Sequence, residues 1–176
     1  MIWRASSLGG AYIIEVEKVE DDRGFFARSY CREDFVAHGL EPVDVQCNIS
    51  YNVRAGTLRG MHFQDLPHAE AKLVRCTRGA IRDVIIDLRP ESATFCQWSG
   101  VDLTADNYRM LYVPRGFAHG FQTLEDHAEV FYQMSHPYSA RDARGVRWND
   151  PLFAISWPVA VTTISERDRS YPDFQK

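Results

Sequence analysis

Hydrophobic and polar residues alternate in short runs along most of the chain, with Gly, Pro, Asn and Asp between the runs. AYIIEVEKV, VDVQCNISY, LRGMHFQ, AKLVRCT, AIRDVIIDL, RMLYVP, HGFQTL and HAEVFYQMS each have the two-residue period or the β-rich composition of a strand. Only CREDFVAHG, ended by Gly39, reads as a short helix. Closely spaced strands with little helix between them predict an all-β protein, an antiparallel sandwich or barrel of jelly-roll type with few short helices. The stretch from Trp157 to the C-terminus is less regular and more charged, and is expected to cover the barrel or close over a site.

Several runs carry polar groups where a plain strand would not need them. In VDVQCNIS, Val43, Val45, Cys47 and Ile49 form one row, which leaves Asp44, Gln46, Asn48 and Ser50 together on the other. In LRGMHFQ, His62 and Gln64 share a face with Leu58 and Gly60, and the small Gly60 leaves room beside the histidine. Arg59 falls on the opposite face with Met61 and Phe63, so a bulge or strand end near Gly60 is needed to bring it to the same site. Lys72 sits in a row with Val74 and Cys76, and Tyr132 with Val130 and Met134. One polar residue among apolar neighbours is ordinarily a core group satisfied by a hydrogen bond. Four such strands together predict a polar pocket inside a barrel.

The 176 residues fit one domain with a sizeable core. A net charge of −4 argues against a nucleic-acid or membrane-surface binder, so any anionic ligand must meet a local basic cluster. MIWRASSLGG lacks the apolar core of a signal peptide, no apolar run is long enough to span a bilayer, and a cytoplasmic protein is expected. Cys31, Cys47, Cys76 and Cys96 are dispersed, which suits reduced packing thiols better than disulfides or zinc ligands.

Inward histidines in a β-barrel raise the question of a metal. Pro114, Gly116 and His119 have the P-x-G-x-x-H spacing of the second motif of metal-binding cupins. The first motif's His-x-His pair is broken, because Gln64 stands two residues after His62 and glutamine is a poor transition-metal ligand.

Taken in order, Arg23-Gly24-Phe25-Phe26, Gln46-x-Asn48, Leu58 to Gln64, Lys72, Pro114 to Phe121, Tyr132, Trp148-Asn149-Asp150-Pro151 and Ser165-Glu166-Arg167-Asp168 resemble the dTDP-4-dehydrorhamnose 3,5-epimerase family. The resemblance covers nearly the whole chain. It implies a cupin-type jelly roll that acts as a homodimer without metal or other cofactor on nucleotide-linked 4-keto-6-deoxy sugars, inverting the carbons beside the ketone. It further implies His62 as proton acceptor, Asp168 as its carboxylate partner, Tyr132 as proton donor and Lys72 as a substrate-contacting lysine. Arg23, Gln46, Asn48, Arg59, His119 and Arg167 fall on positions that hold the nucleotide sugar, and Phe26 or Tyr138 is placed to stack on the pyrimidine.

These residue types suit the chemistry. A 4-ketone acidifies the hydrogens at C3 and C5, because the carbanion left behind delocalises onto oxygen as an enolate. Inversion then needs a base on one face of the sugar and an acid on the other. Imidazole titrates near neutrality and serves as the base, a buried carboxylate fixes its tautomer, and a phenol stays protonated as the acid. A fixed ammonium beside the enolate oxygen meets the charge where it develops.

The chain departs from the family at two positions where glutamate is common: Ala27-Arg28-Ser29 follows GFF, and Ala143 precedes WNDP, with Asp142 one position away as a substitute carboxylate. Neither departure touches the proton-transfer set. The alternatives are an enzyme that inverts C3 or C5 alone, and a catalytically silent nucleotide-sugar-binding cupin.

Overall fold

The computed structural model describes residues 1–176. Strands β1 (Ile2–Ala5), β2 (Tyr12–Glu15), β3 (Val19–Asp21) and β4 (Gly24–Phe26) precede helix α1 (Arg32–Ala37). Then follow β5 (Gln46–Asn52), β6 (Thr57–Gln64), β7 (Lys72–Arg78), β8 (Ala80–Asp87), β9 (Trp98–Thr104), β10 (Met110–Val113), β11 (Phe117–Thr123), β12 (Ala128–Met134) and β13 (Ala143–Gly145). Strand β14 (Thr163–Ile164) and helix α2 (Glu166–Arg169) close the chain.

The long strands form two six-stranded sheets, one ordered β1-β2-β10-β7-β12-β5 and the other β13-β6-β11-β8-β9, with β14 added beside β6. Their neighbours run antiparallel except for β14, which lies parallel to β6. This is the expected all-β jelly roll. Val74, Cys76, Leu111 and Val130 from the first sheet meet Ile81, Ile85, Leu103, Phe117 and Phe121 from the second in a core between the layers. Burying one such side chain contributes about 1.5–3 kcal/mol, so this contact is a main source of cohesion.

Each sheet also has a covered outer face. Phe35 of α1 joins Ile14, Val43, Leu73 and Met110 on the first. The helix ends where expected: Gly39 adopts φ +70°, a conformation that favours glycine. On the second sheet, Met61, Val84, Ile86 and Ala118 pack under Phe153, with Trp157 and Phe174 of the tail against them.

Strand β5 holds a reversal of the usual rule. Gln46, Asn48 and Ser50 turn inward, while Val45, Ile49 and Tyr51 on the alternate row are exposed. The polar row lines a pocket between the sheets, as the mismatched faces predict, and the apolar row is left on an edge strand.

Candidate active site

The pocket encloses about 830 Å³. Its walls come from both sheets: Gln46, Asn48, Lys72 and Tyr132 from the first, Arg59, His62, Gln64 and His119 from the second. Tyr138 from the loop after β12 and Arg167 and Asp168 from α2 complete the enclosure. Of the residues singled out by sequence, these eleven converge.

The geometry at β6 explains how Arg59 and His62 share the pocket. His119 lies opposite His62 and Phe121 opposite Arg59, so two steps on β11 match three on β6. That is a β-bulge. It falls at Gly60, whose φ of +121° suits glycine and whose added Cβ would lie 2.6 Å from the Gly120 Cα. Arg59 is then fixed by Nε donating to Asn52 Oδ1 at 2.7 Å.

His62 and Asp168 are far apart in sequence and meet at 2.7 Å, Nε2 to Oδ1. Oδ2 of the same carboxylate accepts from the Gly60 N–H at 3.0 Å. Ser165 caps α2 by accepting from the Asp168 N–H at 3.1 Å, which leaves the Asp168 side chain free to reach the barrel. An ionised carboxylate only accepts, so His62 Nε2 carries the proton and Nδ1 is the basic nitrogen. Burial alone would raise the Asp168 pKa, but the bonds from His62 and the Gly60 N–H outweigh it and hold it below the usual value. The Asp168 side chain is 6% exposed and the imidazole 41%, so the imidazole is open to a ligand while its partner carboxylate is not.

The first sheet supplies the opposing groups. The Lys72 ammonium pairs with Glu70 at 2.7 Å, with side chains only 9% and 3% exposed. The other Glu70 oxygen is buried without a partner. Tyr132 packs against the central core and faces the pocket. Burial raises its pKa above that of an ordinary phenol, the Arg59 charge opposes the shift, and Glu70 adds to it. It is therefore a protonated donor at neutral pH.

The pocket rim is wired through glutamines. Gln46 Oε1 accepts from the Tyr138 N–H at 2.9 Å, and Gln46 Nε2 donates to Asn48 at 3.0 Å. Gln64, at the position where a metal cupin carries a histidine, accepts from the Ser139 N–H at 2.6 Å and donates to the His68 carbonyl at 2.7 Å. Its amide is committed to holding two loops together. No group of three or more His, Cys, Asp or Glu side chains is arranged to hold a metal.

Two expected ligand contacts lie elsewhere. Arg23 and Phe26 sit on the β3–β4 hairpin, outside the pocket of their own chain; Phe26 is 77% exposed and Arg23 pairs with Asp21. The hairpin pairs only with itself, so nothing folds it over the pocket. Asp142 does not replace a missing glutamate either, because its carboxylate binds His68 Nδ1 and Ser139 Oγ, each at 2.7 Å, away from the cavity. Ala143 lines the wall as a methyl group, and exposed Arg28 reaches Asp34 at 3.5 Å.

Four residues of the site escaped the sequence reading: Asn52, Glu70, Asp83 and Tyr171. Asp83, fully buried, accepts from His119 Nε2 at 2.7 Å and forms a second histidine–carboxylate pair on the pocket floor. Asp83 shares its strand face with Ile81 and Ile85, and an acid in that row is a readable signal. Glu70 precedes Lys72 by two residues, and Asn52 continues the Gln46-Asn48-Ser50 row, so both had similar signals. Tyr171 had none.

Two facing sheets, one bearing a histidine–aspartate pair and the other a buried lysine and a protonated tyrosine, define a cupin-type barrel equipped for acid–base chemistry. The family model for dTDP-4-dehydrorhamnose 3,5-epimerase matches residues 5–176, and the chain belongs to that family. A dTDP-4-dehydrorhamnose 3,5-epimerase of Sinorhizobium fredii is 40% identical over 98% of this chain and 89% of its own. The crystal structure of the Bacillus anthracis enzyme with TDP and PPi bound superposes with a TM-score of 0.94, at 46% identity over 98% of this chain and 99% of the other. The Legionella pneumophila enzyme in complex with dTDP-4-keto-L-rhamnose has a TM-score of 0.89 at 31% identity, over 99% of both chains.

Proposed function

We propose that the chain converts dTDP-4-dehydro-6-deoxy-D-glucose to dTDP-4-dehydro-L-rhamnose by inverting C5 and C3 of the sugar. The observation that carries this reading is the placement of a base and an acid on opposing walls of one pocket, His62 on β6 and Tyr132 on β12. His62 Nδ1 takes the proton from the carbon beside the ketone, and the C–H pair moves into the C4 oxygen as an enolate. Lys72 and the His119–Asp83 pair face that developing charge. Tyr132 then delivers its proton to the opposite face of the carbanion carbon; His62 releases its proton to solvent, Tyr132 regains one from solvent, and the sequence repeats at the second centre.

Arg59 and Arg167 supply the local positive charge for the diphosphate, Gln46 and Asn48 hold the sugar nucleotide, and Tyr138 borders the place of the base. The groups named need no metal or other cofactor. We read residues 1–176 as one domain, with 157–176 as its covering segment.

The active form is proposed to be a homodimer. The exposed row Val45, Ile49 and Tyr51 on edge strand β5 offers an apolar face for a second copy. A second copy is also the way in which Arg23 and Phe26 would reach a pocket. No helix is long and apolar enough to cross a membrane. The four unpaired cysteines favour a reducing compartment, the cytoplasm.

The test is to incubate the protein with dTDP-4-dehydro-6-deoxy-D-glucose in deuterium oxide and count incorporated deuterons by mass spectrometry, with His62→Ala as control. Two deuterons, lost in the variant, support the double inversion. One deuteron would make the enzyme a mono-epimerase. None, from folded protein, would overturn the reading in favour of a silent binder.

A further inference from the structure

We infer that Tyr171 is a positioning residue that closes the β13 side of the His62–Asp168 pair, fixing the imidazole and keeping water from its Nε2–H. The inference concerns the geometry of the pair and rests on the proposed function only where it extends to turnover.

Three observations lead there. The Tyr171 ring meets the His62 ring edge-on, with centroids 6.2 Å apart and planes at 72°. Such edge contacts are favourable for aromatic pairs at this separation. The space the ring fills exists because residue 145 is glycine: Gly145 lies directly opposite His62 across the β13–β6 ladder, and an added Cβ there would sit 2.2 Å from the ring carbons. Tyr171 is also held from both sides. Its hydroxyl accepts from Arg167 Nε at 2.7 Å, and three residues later the Phe174 N–H donates to the Asp150 carboxylate at 2.6 Å.

A single hydrogen bond to Asp168 fixes which nitrogen of His62 carries the proton but leaves the ring free to rock about that bond. Packing from the β13 side removes this freedom, and small displacements of a catalytic group are expensive in rate. The same ring packs on the imidazole whose Nε2–H bonds Asp168, and the inferred cap shields the one side-chain bond of the pair that solvent would otherwise compete for. Because α2 carries both Arg167 and Asp168, one short segment delivers the carboxylate and braces the ring that packs beside the imidazole.

The experiment follows the His62 Nε2–H by proton–nitrogen NMR in the ligand-free protein, assigned by its loss in His62→Asn, and pairs it with steady-state epimerisation. Tyr171→Phe keeps the ring, Tyr171→Ala removes it, and Gly145→Ala expels it while leaving residue 171 intact. In Tyr171→Ala and Gly145→Ala the Nε2–H is expected to exchange with water at least about tenfold faster, and kcat to fall about ten- to a hundredfold with KM little changed. Tyr171→Phe is expected to restore most of both. Wild-type protection of the Nε2–H in the folded Gly145→Ala and Tyr171→Ala proteins would overturn the inference, as would a loss confined to KM. A changed exchange rate in a protein whose wild type epimerises nothing would uphold the capping role and refute the proposed function instead.

Discussion

Replacing Asp168 by asparagine tests the proton logic of the site at a single atom. The side chain is nearly isosteric, and the Gly60 N–H, which donates to Oδ2 at 3.0 Å, dictates how the new amide sits. The amide oxygen must take the Gly60 bond, which turns the NH2 toward His62 Nε2. An imidazole facing a donor presents its lone pair there and carries its proton on Nδ1, so the nitrogen directed at the sugar is no longer a base. In a serine protease triad the same exchange lowers turnover roughly 10⁴-fold through the wrong tautomer. The same tautomer argument here gives a fall of about 10³–10⁴ in kcat, or about 4–5.5 kcal/mol in the barrier. Asp168→Ala imposes no tautomer, so it is expected to keep at least as much activity as Asp168→Asn. Deuterium incorporation into the nucleotide sugar measures both variants, with thermal melts to show that each is folded. A folded Asp168→Asn enzyme within tenfold of wild type would refute the assignment of Nδ1 as the base.

Removing the partner of the buried Lys72, by Glu70→Ala, leaves an uncompensated ammonium and is expected to cost about 3–5 kcal/mol, read from urea midpoints; an unchanged midpoint would mean that water already solvates Lys72. Gly60→Ala drives a methyl to within 2.6 Å of the Gly120 Cα and 2.9 Å of the His119 carbonyl at a φ of +121°, so a destabilisation on the order of 3 kcal/mol is expected by thermal melting. Acid sensitivity follows from two carboxylates with lowered pKa values. Burial would push Asp87 up, but bonds from Arg89, Ser92 and Thr94 hold it at about 2, and Asp168 is also shifted downward. Because the folded values lie below the unfolded ones, their stabilisation is complete above about pH 4 and is lost as the pH falls toward 2. Urea midpoints at pH 5 and pH 3 are expected to differ, and Asp87→Asn to reduce that difference.

The strand pattern was readable because β-rich runs fall between turn residues, even in β8, β10 and β11, where both faces are buried, and the helix because Gly39 ends it at a positive φ. The pocket was readable in the rows of β5 and β6, where polar residues alternate with apolar ones for no reason a flat sheet supplies. Strict alternation misplaced Arg59 relative to His62. Only a bulge resolves that conflict, and Gly60 marked where it had to be. Alternation in β5 defines two faces without saying which one meets solvent; the mismatched polar rows of several strands taken together point the Gln46-Asn48-Ser50 row into the pocket, which leaves Val45, Ile49 and Tyr51 outside. The Asp168 contact was legible only by resemblance, because a partner more than a hundred residues away leaves no local trace in a sequence. Tyr171 and its space above Gly145 are a matter of packing between segments, and periodicity carries no information about that.

Strand β6 explains why the site tolerates so little freedom. Arg59 is tied to Asn52 on β5, His62 to Asp168 on α2, and Gln64 to the loops at His68 and Ser139. These tethers run to segments on both sides of β6 in sequence, and each fixes the strand at a different height. A slip of one residue would turn His62 away from Asp168 and break the other two tethers as well. The bulge at Gly60 is thus held by contacts on either side of it, and the Gly60 N–H is part of the same network through Asp168. The register, the imidazole tautomer and the pocket wall are therefore one cooperative arrangement. Substitutions at Asn52 or Gln64, which supply no proton in the reaction, should consequently alter the exchange behaviour of the His62 Nε2–H as well as ligand affinity.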